Sequence, residues 1–127
     1  MAEKIVIATS QAPAAIGPYS QAIAVTPFVY TSGQIPLVPS TEAVVEGDIE
    51  TQTRQAITNL QAVLVAAGSS LDKVVKTTVF VRNMTDFPRI NSIYGEFFTE
   101  NPPARSLVEV TALPKGVMIE IEAVAIK

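Results

Sequence analysis

In residues 117–126, wholly apolar positions alternate strictly with positions that carry a mixture of apolar and acidic side chains. Neighbouring side chains of a β-strand point to opposite faces of its sheet, so this period of two predicts a strand. One face would carry Val117, Ile119, Ile121, Ala123 and Ala125. The other would carry Met118, Glu120, Glu122, Val124 and Ile126. The fold must therefore cover the first face completely and accommodate a second face that mixes apolar and acidic groups.

Five other segments have the β-branched and apolar composition of strands. They are residues 4–9, 20–25, 28–33, 73–83 and 104–113. A tight turn at Thr26-Pro27 is expected to join the second of these strands to the third. The sequence Pro-Lys-Gly at 114–116 suits an antiparallel hairpin between the last two strands of the chain.

Two segments have the i, i+3, i+4 spacing of apolar residues that marks one face of a helix. The first helix is expected to begin at Asp48 as its N-cap and to end at Gly68. Its apolar face would carry Ala56, Ile57, Leu60, Val63, Leu64 and Ala67. The second is expected to begin near Asp86, with Pro88 in its first turn, and to end at residues 101–103. Its apolar side would carry Phe87, Ile90, Tyr94, Phe97 and Phe98, of which the last three are assigned to the core.

These elements predict a single domain over residues 1–127 with an α+β fold. Two amphipathic helices can cover only one face of a mixed sheet of this size. The opposite face is too apolar to remain in water, because Phe80, Val124 and Ile126 lie on it beside a few charges. We therefore expect a homo-oligomer that traps some polar groups at its interfaces.

The composition excludes several classes of function. The chain has no cysteine and no histidine, which removes disulfides, thiolate nucleophiles and nearly every transition-metal site. Its net charge of −3 disfavours binding to nucleic acid. No apolar run is long enough to span a membrane, and the first ten residues lack a signal-peptide core, so a cytoplasmic protein without a membrane partner is expected.

Five segments, in order along nearly the whole chain, resemble those of the reactive intermediate deaminase (Rid) family, in its RidA-type branch. They are residues 12–22 (APAAIGPYSQA), 31–36 (TSGQIP), 74–81 (VVKTTVFV), 103–106 (PARS) and 119–123 (IEIEA). The resemblance implies a chorismate-mutase-like fold, with two helices on one face of each mixed sheet and the sheets meeting in a homotrimer. It also implies an active cleft at each subunit interface, without metal or cofactor. The implied reaction is hydrolysis of reactive enamines and imines, such as 2-aminoacrylate, to 2-keto acids and ammonia.

Arg105 follows a double proline at the start of a strand. Its permanent charge requires an anion or a set of acceptors wherever the fold removes it from water. From the residues alone, a structural ion pair with Glu109 or another acid is an alternative to a ligand site. The resemblance assigns to Arg105 the family's essential arginine, which would hold the substrate carboxylate by a two-point salt bridge.

Glu120 and Glu122 lie two residues apart, so both carboxylates would project from one face, roughly 7 Å apart. A carboxylate in an apolar interface has a raised pKa, which suits a group that takes a proton from water and returns one to a leaving amine. Solvated edge residues are the alternative interpretation, which we keep for Glu122. The resemblance assigns the family's water-positioning role to Glu120.

Other site residues follow from the same resemblance. Tyr19, Ser32 and Asn91 would line the cleft, although each could be an ordinary turn or helix-surface residue. Gly33 would allow close backbone approach to a ligand, or form a turn. Leu107 stands where many relatives have cysteine, and its backbone carbonyl would face the substrate nitrogen. The link before Arg105 is shorter than in some relatives, which affects the width of the cleft.

Two other functions remain open at this point. A trimeric module could bind small carboxylates or a protein partner in its clefts without turnover. RNA cleavage has also been attached to members of the family, but the acidic charge and the lack of histidine, the commonest general base, count against it.

Overall fold

The structure, a computed structural model, describes residues 3–127. Met1 and Ala2, the first two of the ten residues in which a signal-peptide core was sought above, lie outside this range. The first half of the chain contains β1 (Ile5–Ile7), β2 (Ala22–Val25), β3 (Phe28–Thr31), β4 (Leu37–Val38), β5 (Ala43–Val44) and α1 (Ile49–Ala66). The second half contains β6 (Val74–Val81), α2 (Phe87–Phe97), β7 (Ala104–Glu109) and β8 (Ile119–Ile126). The short pair β4–β5 lies in a segment that was predicted from the sequence to be a polar loop.

Six strands form one sheet in the order β1-β2-β3-β8-β6-β7, and β4 pairs only with β5. Every neighbouring pair in the large sheet is antiparallel except β6 and β7, which are parallel. The turn at Thr26-Pro27 joins β2 to β3 as expected, and its peptide bond is cis. The α+β class with a mixed sheet and two helices is therefore confirmed.

The expected hairpin between the last two strands is wrong. β7 lies at the edge of the sheet beside β6, and β8 lies between β3 and β6. Parallel neighbours need a long crossover, which α2 supplies between β6 and β7. Residues 114–116 form a 3-10 turn with Lys115 at φ 56° and Gly116 at φ 67°, not a hairpin turn. The wholly apolar inner face of β8 is better covered at the centre of the sheet than at its edge.

The core lies between α1 and the inner face of the sheet, by which we mean the face that the helices cover. Asp48 caps α1 by accepting a hydrogen bond from the Thr51 N–H at 3.0 Å, and Gly68 follows the helix with φ 82°. The apolar face predicted for this helix is buried: Ala56, Ile57, Leu60, Val63, Leu64 and Ala67. So are the residues predicted for the covered face of the last strand: Val117, Ile119, Ile121, Ala123 and Ala125.

The outer face of the sheet remains partly exposed in a single chain. Phe28 lies opposite Ile126, and Tyr30 opposite Val124. Phe28, Tyr30 and Ile126 are between 39% and 47% exposed. This apolar patch shares Val124 and Ile126 with the face for which the sequence predicts self-association. No helix within residues 3–127 combines the length and the apolar character needed to cross a bilayer.

Candidate active site

Arg105 lies on the inner face of β7, where its cross-strand neighbour on β6 is Thr77. Helix α2 packs over it with three residues at i, i+4 and i+7. The Nη1 group of Arg105 donates a hydrogen bond of 2.8 Å to Oδ1 of Asn91. The guanidinium carbon lies 4.8 Å from the ring centroid of Tyr94 and 5.5 Å from that of Phe87. One helix face therefore holds the cation by an amide oxygen and by two aromatic rings.

Arg105 forms no ion pair within the described residues. The ion pairs of this part of the chain involve Arg54 and Arg89, both at the surface. Glu109, the partner considered above for Arg105, instead accepts a hydrogen bond of 2.8 Å from the backbone N–H of Met84. The half-buried guanidinium is thus supported without a neighbouring carboxylate to neutralise it.

A cavity of about 430 Å³ opens beside this guanidinium. Its lining is formed by Asn91, Tyr94, Gly95, Phe98, Pro102, Pro103 and Arg105. The double proline that ends the preceding segment is therefore one wall of the cavity. The lining combines polar and apolar surface and includes the charge of Arg105, and a small anion could lie there against the guanidinium.

The backbone of Leu107 faces the free edge of β7. Val110 donates its N–H to the carbonyl of Val81 on β6 at 2.8 Å. In a parallel pair, each residue directs its N–H and its C=O to the same side of the strand, and that side alternates from one residue to the next. Val110 faces β6, so Leu107, three residues earlier, directs its backbone groups away from β6. Its side chain packs against the core. The carbonyl expected to face a substrate is thus free of the sheet ladder.

Glu120 lies on the outer face of β8, opposite Phe80 of β6. Its side chain is half-buried. Burial, and then the neighbouring charge of Glu122, raise the pKa of Glu120 above the usual glutamate range. The direction of this shift agrees with the general acid–base role considered for this residue.

Gly33 lies directly under the Glu120 carboxylate. A Cβ atom built on Gly33 would lie 1.8 Å from Oε2 of Glu120, which is far inside contact distance. The segment is fixed there because the backbones of Gln34 and Ile121 exchange hydrogen bonds of 2.7 and 3.0 Å. The close approach predicted for this glycine is thus to a side chain of its own chain.

Tyr19 and Ser32 lie near Gly33. The Tyr19 side chain is half exposed and, with Gly33, lines a cavity of about 70 Å³. Its hydroxyl accepts a hydrogen bond from the backbone N–H of Ile16 at 3.4 Å. The Ser32 hydroxyl donates to the carbonyl of Ser20 at 2.6 Å, so its proton is already engaged.

The expected site residues therefore form two groups within one chain. Arg105, Asn91 and the cavity lie under the helices, while Glu120 and Gly33 lie on the opposite face of the sheet. Two strand positions, those of β6 and β7, separate β8 from the free edge. A single copy of the chain does not bring the arginine and the glutamate to one substrate.

Three residues around Arg105 were not predicted from the sequence to contact it: Thr77, Phe87 and Tyr94. Thr77 is fully buried, on the same strand face as Val79 and Val81. A polar residue on a wholly buried face needs a partner, which was an available signal. Tyr94 is in the core as expected, but it also contacts the guanidinium.

Comparisons with known proteins identify the family. A family model described as Endoribonuclease L-PSP matches residues 9–127. A solved structure from Yersinia pestis, described as a protein of unknown function of the conserved Rid protein family, is 52% identical and superposes with a TM-score of 0.95. The alignment covers 98% of this chain and 100% of that one. The chain belongs to the Rid family.

Other Rid relatives carry more specific names. A protein of Salmonella typhimurium named 2-iminobutanoate/2-iminopropanoate deaminase is 52% identical over 124 residues, which are 95% of this chain and 96% of the relative. The Escherichia coli protein TdcF, solved with bound serine, is 44% identical, with a TM-score of 0.94 and coverage of 98% and 99%. The resemblance seen in the sequence is therefore confirmed at the level of the family.

In this Rid protein, Gly33→Ala should displace the Glu120 carboxylate, because the new methyl group would occupy its place. The displaced group is the end of a flexible side chain, so we expect the free energy of unfolding to change by less than about 1 kcal/mol. Any activity of this chain that depends on the position of the Glu120 carboxylate should fall about tenfold in kcat/KM. Thermal unfolding and a steady-state assay would measure both effects.

The same substitution in a Glu120→Gln background distinguishes this cause from a general distortion. If Gly33→Ala acts through Glu120, it should lower the rate of that variant little further. An equal tenfold loss in both backgrounds would show that Gly33 affects the reaction by another route.

Proposed function

We propose that this Rid protein hydrolyses reactive enamines and imines of 2-keto acids, such as 2-aminoacrylate, to the keto acid and ammonia. One observation carries the proposal: the Arg105 guanidinium is half-buried, has no carboxylate partner in residues 3–127, and borders an open cavity. A cation held in this way favours an anionic ligand. The Salmonella relative is named as a deaminase, which supports the same reaction. TdcF was solved with serine, and serine carries a carboxylate, which supports the same kind of ligand.

Arg105 would bind the substrate carboxylate through two parallel N–H donors, which fixes both position and orientation. Asn91 occupies one donor and leaves the rest of the fork for the ligand. The backbone carbonyl of Leu107, at the free edge of β7, would accept a hydrogen bond from the protonated imine nitrogen. The imine carbon would then face solvent or a second element that delivers water.

The reaction needs only water and proton transfers. An enamine first takes a proton at its terminal carbon and becomes an imine, which is electrophilic when its nitrogen is protonated. Glu120 would take a proton from water as the oxygen bonds to the imine carbon. Glu120 returns that proton to the nitrogen. The C–N bond then breaks and ammonia leaves, while Glu120 takes the hydroxyl proton and the C–O bond becomes the carbonyl of the keto acid. Orientation by Arg105 supplies much of the acceleration because the electrophile is already reactive.

We further propose that each site is completed by two copies of the chain, in a homotrimer. Arg105 and Glu120 lie on opposite faces of one sheet, so a neighbouring copy must bring its own Glu120 to the Arg105 cavity. The exposed apolar outer face, with Phe28, Tyr30 and Ile126, provides a surface for this contact. Burial at such an interface would raise the pKa of Glu120 further in the same direction.

RNA cleavage, which the family description names, is less well supported by this chain. The net charge is −3, and there is no histidine to act as a general base. The cavity beside Arg105 is bounded by proline and aromatic side chains and carries one cation, which suits a small carboxylate better than a polyphosphate strand.

The direct test generates 2-aminoacrylate with a serine dehydratase and follows its decay and the release of ammonia. Added protein should speed both in proportion to its concentration. Saturable binding of a keto acid without any acceleration would replace the proposed enzyme by the non-catalytic carboxylate-binding module.

The pH dependence should report Glu120. Because its pKa is raised, Glu120 is protonated, and inactive as a base, over a wider acidic range than an ordinary glutamate. The rate should therefore fall as the pH decreases through a limb that lies above the usual glutamate pKa. Glu120→Gln should abolish this limb, as measured by kcat/KM across the acidic range. A limb unchanged in that variant would assign the titration to another group.

A further inference from the structure

A closed set of contacts links Thr77, Tyr94 and Arg105. Thr77 and Arg105 are cross-strand neighbours on the inner face of β6 and β7. Oγ1 of Thr77 lies 2.8 Å from the hydroxyl oxygen of Tyr94, in a buried hydrogen bond. The ring of Tyr94 in turn lies 4.8 Å from the guanidinium carbon of Arg105. A strand residue thus holds the tyrosine that contacts the arginine on the adjacent strand.

The way in which this tyrosine contacts the cation matters for ligand binding. A guanidinium directs its N–H donors within its own plane, whereas an aromatic ring attracts a cation through the electron density of the ring face. A carboxylate in the same position would consume donors and neutralise the charge. The rings of Tyr94 and Phe87 stabilise the cation while leaving donors for an incoming anion.

The position of the Tyr94 ring depends on its hydroxyl. Thr77 is 0% exposed and Tyr94 is 7% exposed, and neither buried hydroxyl lacks a partner, since each bonds the other. Burial raises the pKa of Tyr94, so its hydroxyl stays neutral and can serve as a hydrogen-bond donor or acceptor at neutral pH. Phe98 packs against the same ring, with centroids 4.5 Å apart.

We propose that Thr77 and Tyr94 are positioning residues that hold the Arg105 guanidinium in its carboxylate-binding orientation. Thr77 is not part of the cavity lining, and Tyr94, whose ring borders the cavity, acts through its contact with Arg105. This inference rests on the proposed role of Arg105 as the carboxylate-binding group. It assigns to two core residues a function that depends on their hydroxyl groups and not only on their packing.

The test uses substitutions that preserve shape and remove one hydroxyl each, Thr77→Val and Tyr94→Phe. The probe is 2-oxobutanoate, a keto acid that carries the carboxylate but cannot be deaminated. Each variant should raise its dissociation constant about fivefold, because the ring or the arginine loses its fixed orientation. The double variant should bind about as weakly as the weaker single variant, since both substitutions break one bond.

Thr53→Val provides a matched control. Thr53 is also 0% exposed, and its hydroxyl donates a hydrogen bond of 2.7 Å to the carbonyl of Ile49 within α1. This variant loses a buried hydroxyl away from Arg105. It should shift the thermal unfolding midpoint as Thr77→Val does, but should bind 2-oxobutanoate like the original chain.

Binding and turnover separate the two proposals. If the original chain binds 2-oxobutanoate and Arg105→Ala does not, the affinities of the variants test the positioning role, whether or not the chain hydrolyses imines. Binding without hydrolysis would contradict only the proposed reaction. Affinities of Thr77→Val and Tyr94→Phe equal to that of Thr53→Val would overturn the positioning role. Binding that is absent from the original chain, or unchanged in Arg105→Ala, would overturn it as well.

Discussion

Arg105→Ala should lower kcat/KM for 2-aminoacrylate hydrolysis by about a hundredfold or more. The substitution removes the formal charge from the lining of the cavity, and with it the proposed two-point contact that would orient the substrate. Truncation of one member of a buried charge pair costs about 2–5 kcal/mol, which is consistent with a loss of this size. Arg105→Lys keeps the charge but loses the planar fork, so it should recover only part of the activity.

Arg54 is the matched control for this substitution. It also lies over an aromatic ring, with its guanidinium carbon 5.9 Å from the centroid of Phe97, but it is half exposed and paired with Glu96 at 3.0 Å. Arg54→Ala should leave kcat/KM unchanged and alter stability by less than about 1 kcal/mol. A loss of activity equal in Arg54→Ala and Arg105→Ala would indicate a general effect of arginine removal, and would contradict the proposed site.

Two inactive variants should restore activity when they are assembled together. Glu120→Gln alone should lower the rate about a hundredfold, because the proposed general base is lost. If each site takes Arg105 from one copy and Glu120 from the next, co-expressed Arg105→Ala and Glu120→Gln chains form some sites in which both residues are intact. With random assembly in equal amounts, we expect about a quarter of the original activity.

The double variant Arg105→Ala/Glu120→Gln is the control for this experiment. Mixed with Arg105→Ala, it supplies no arginine to any site and should restore nothing. Mass spectrometry of the intact assemblies would establish that the chains have mixed. Mixed oligomers that remain inactive in the first combination would place Arg105 and Glu120 of a working site on the same copy.

Local periodicity predicted much of the fold. The apolar spacing of α1 and the alternation of β8 depend on neighbours in sequence, and both were confirmed by burial. The pairing of β7 with β6 depends on a crossover and on competition between strands for the centre of the sheet. No pattern within residues 104–126 encodes that competition, which is why the hairpin was predicted instead.

The candidate site was predicted unevenly for a similar reason. Arg105 and Asn91 are hydrogen-bonded to each other. Their place in a substrate site, which the resemblance implies, stays a prediction, and the resemblance does not say which face of the sheet each residue occupies. The separation of Arg105 from Glu120 follows only from the strand order. Tyr94 was assigned to the core from its helical spacing, and spacing alone cannot reveal that a buried ring also contacts a cation.

The central position of β8 has a consequence for how the chain is made. Synthesis proceeds from the N-terminus, so the ribosome delivers β1 to β3 and β6 before the strand that joins them. Until then, β3 and β6 each present an unpaired border that could capture a strand from another nascent polypeptide. A polypeptide whose synthesis stops before residue 119 would contain two parts of the sheet without the strand that joins them. Such a fragment should be prone to aggregation and rapid proteolysis.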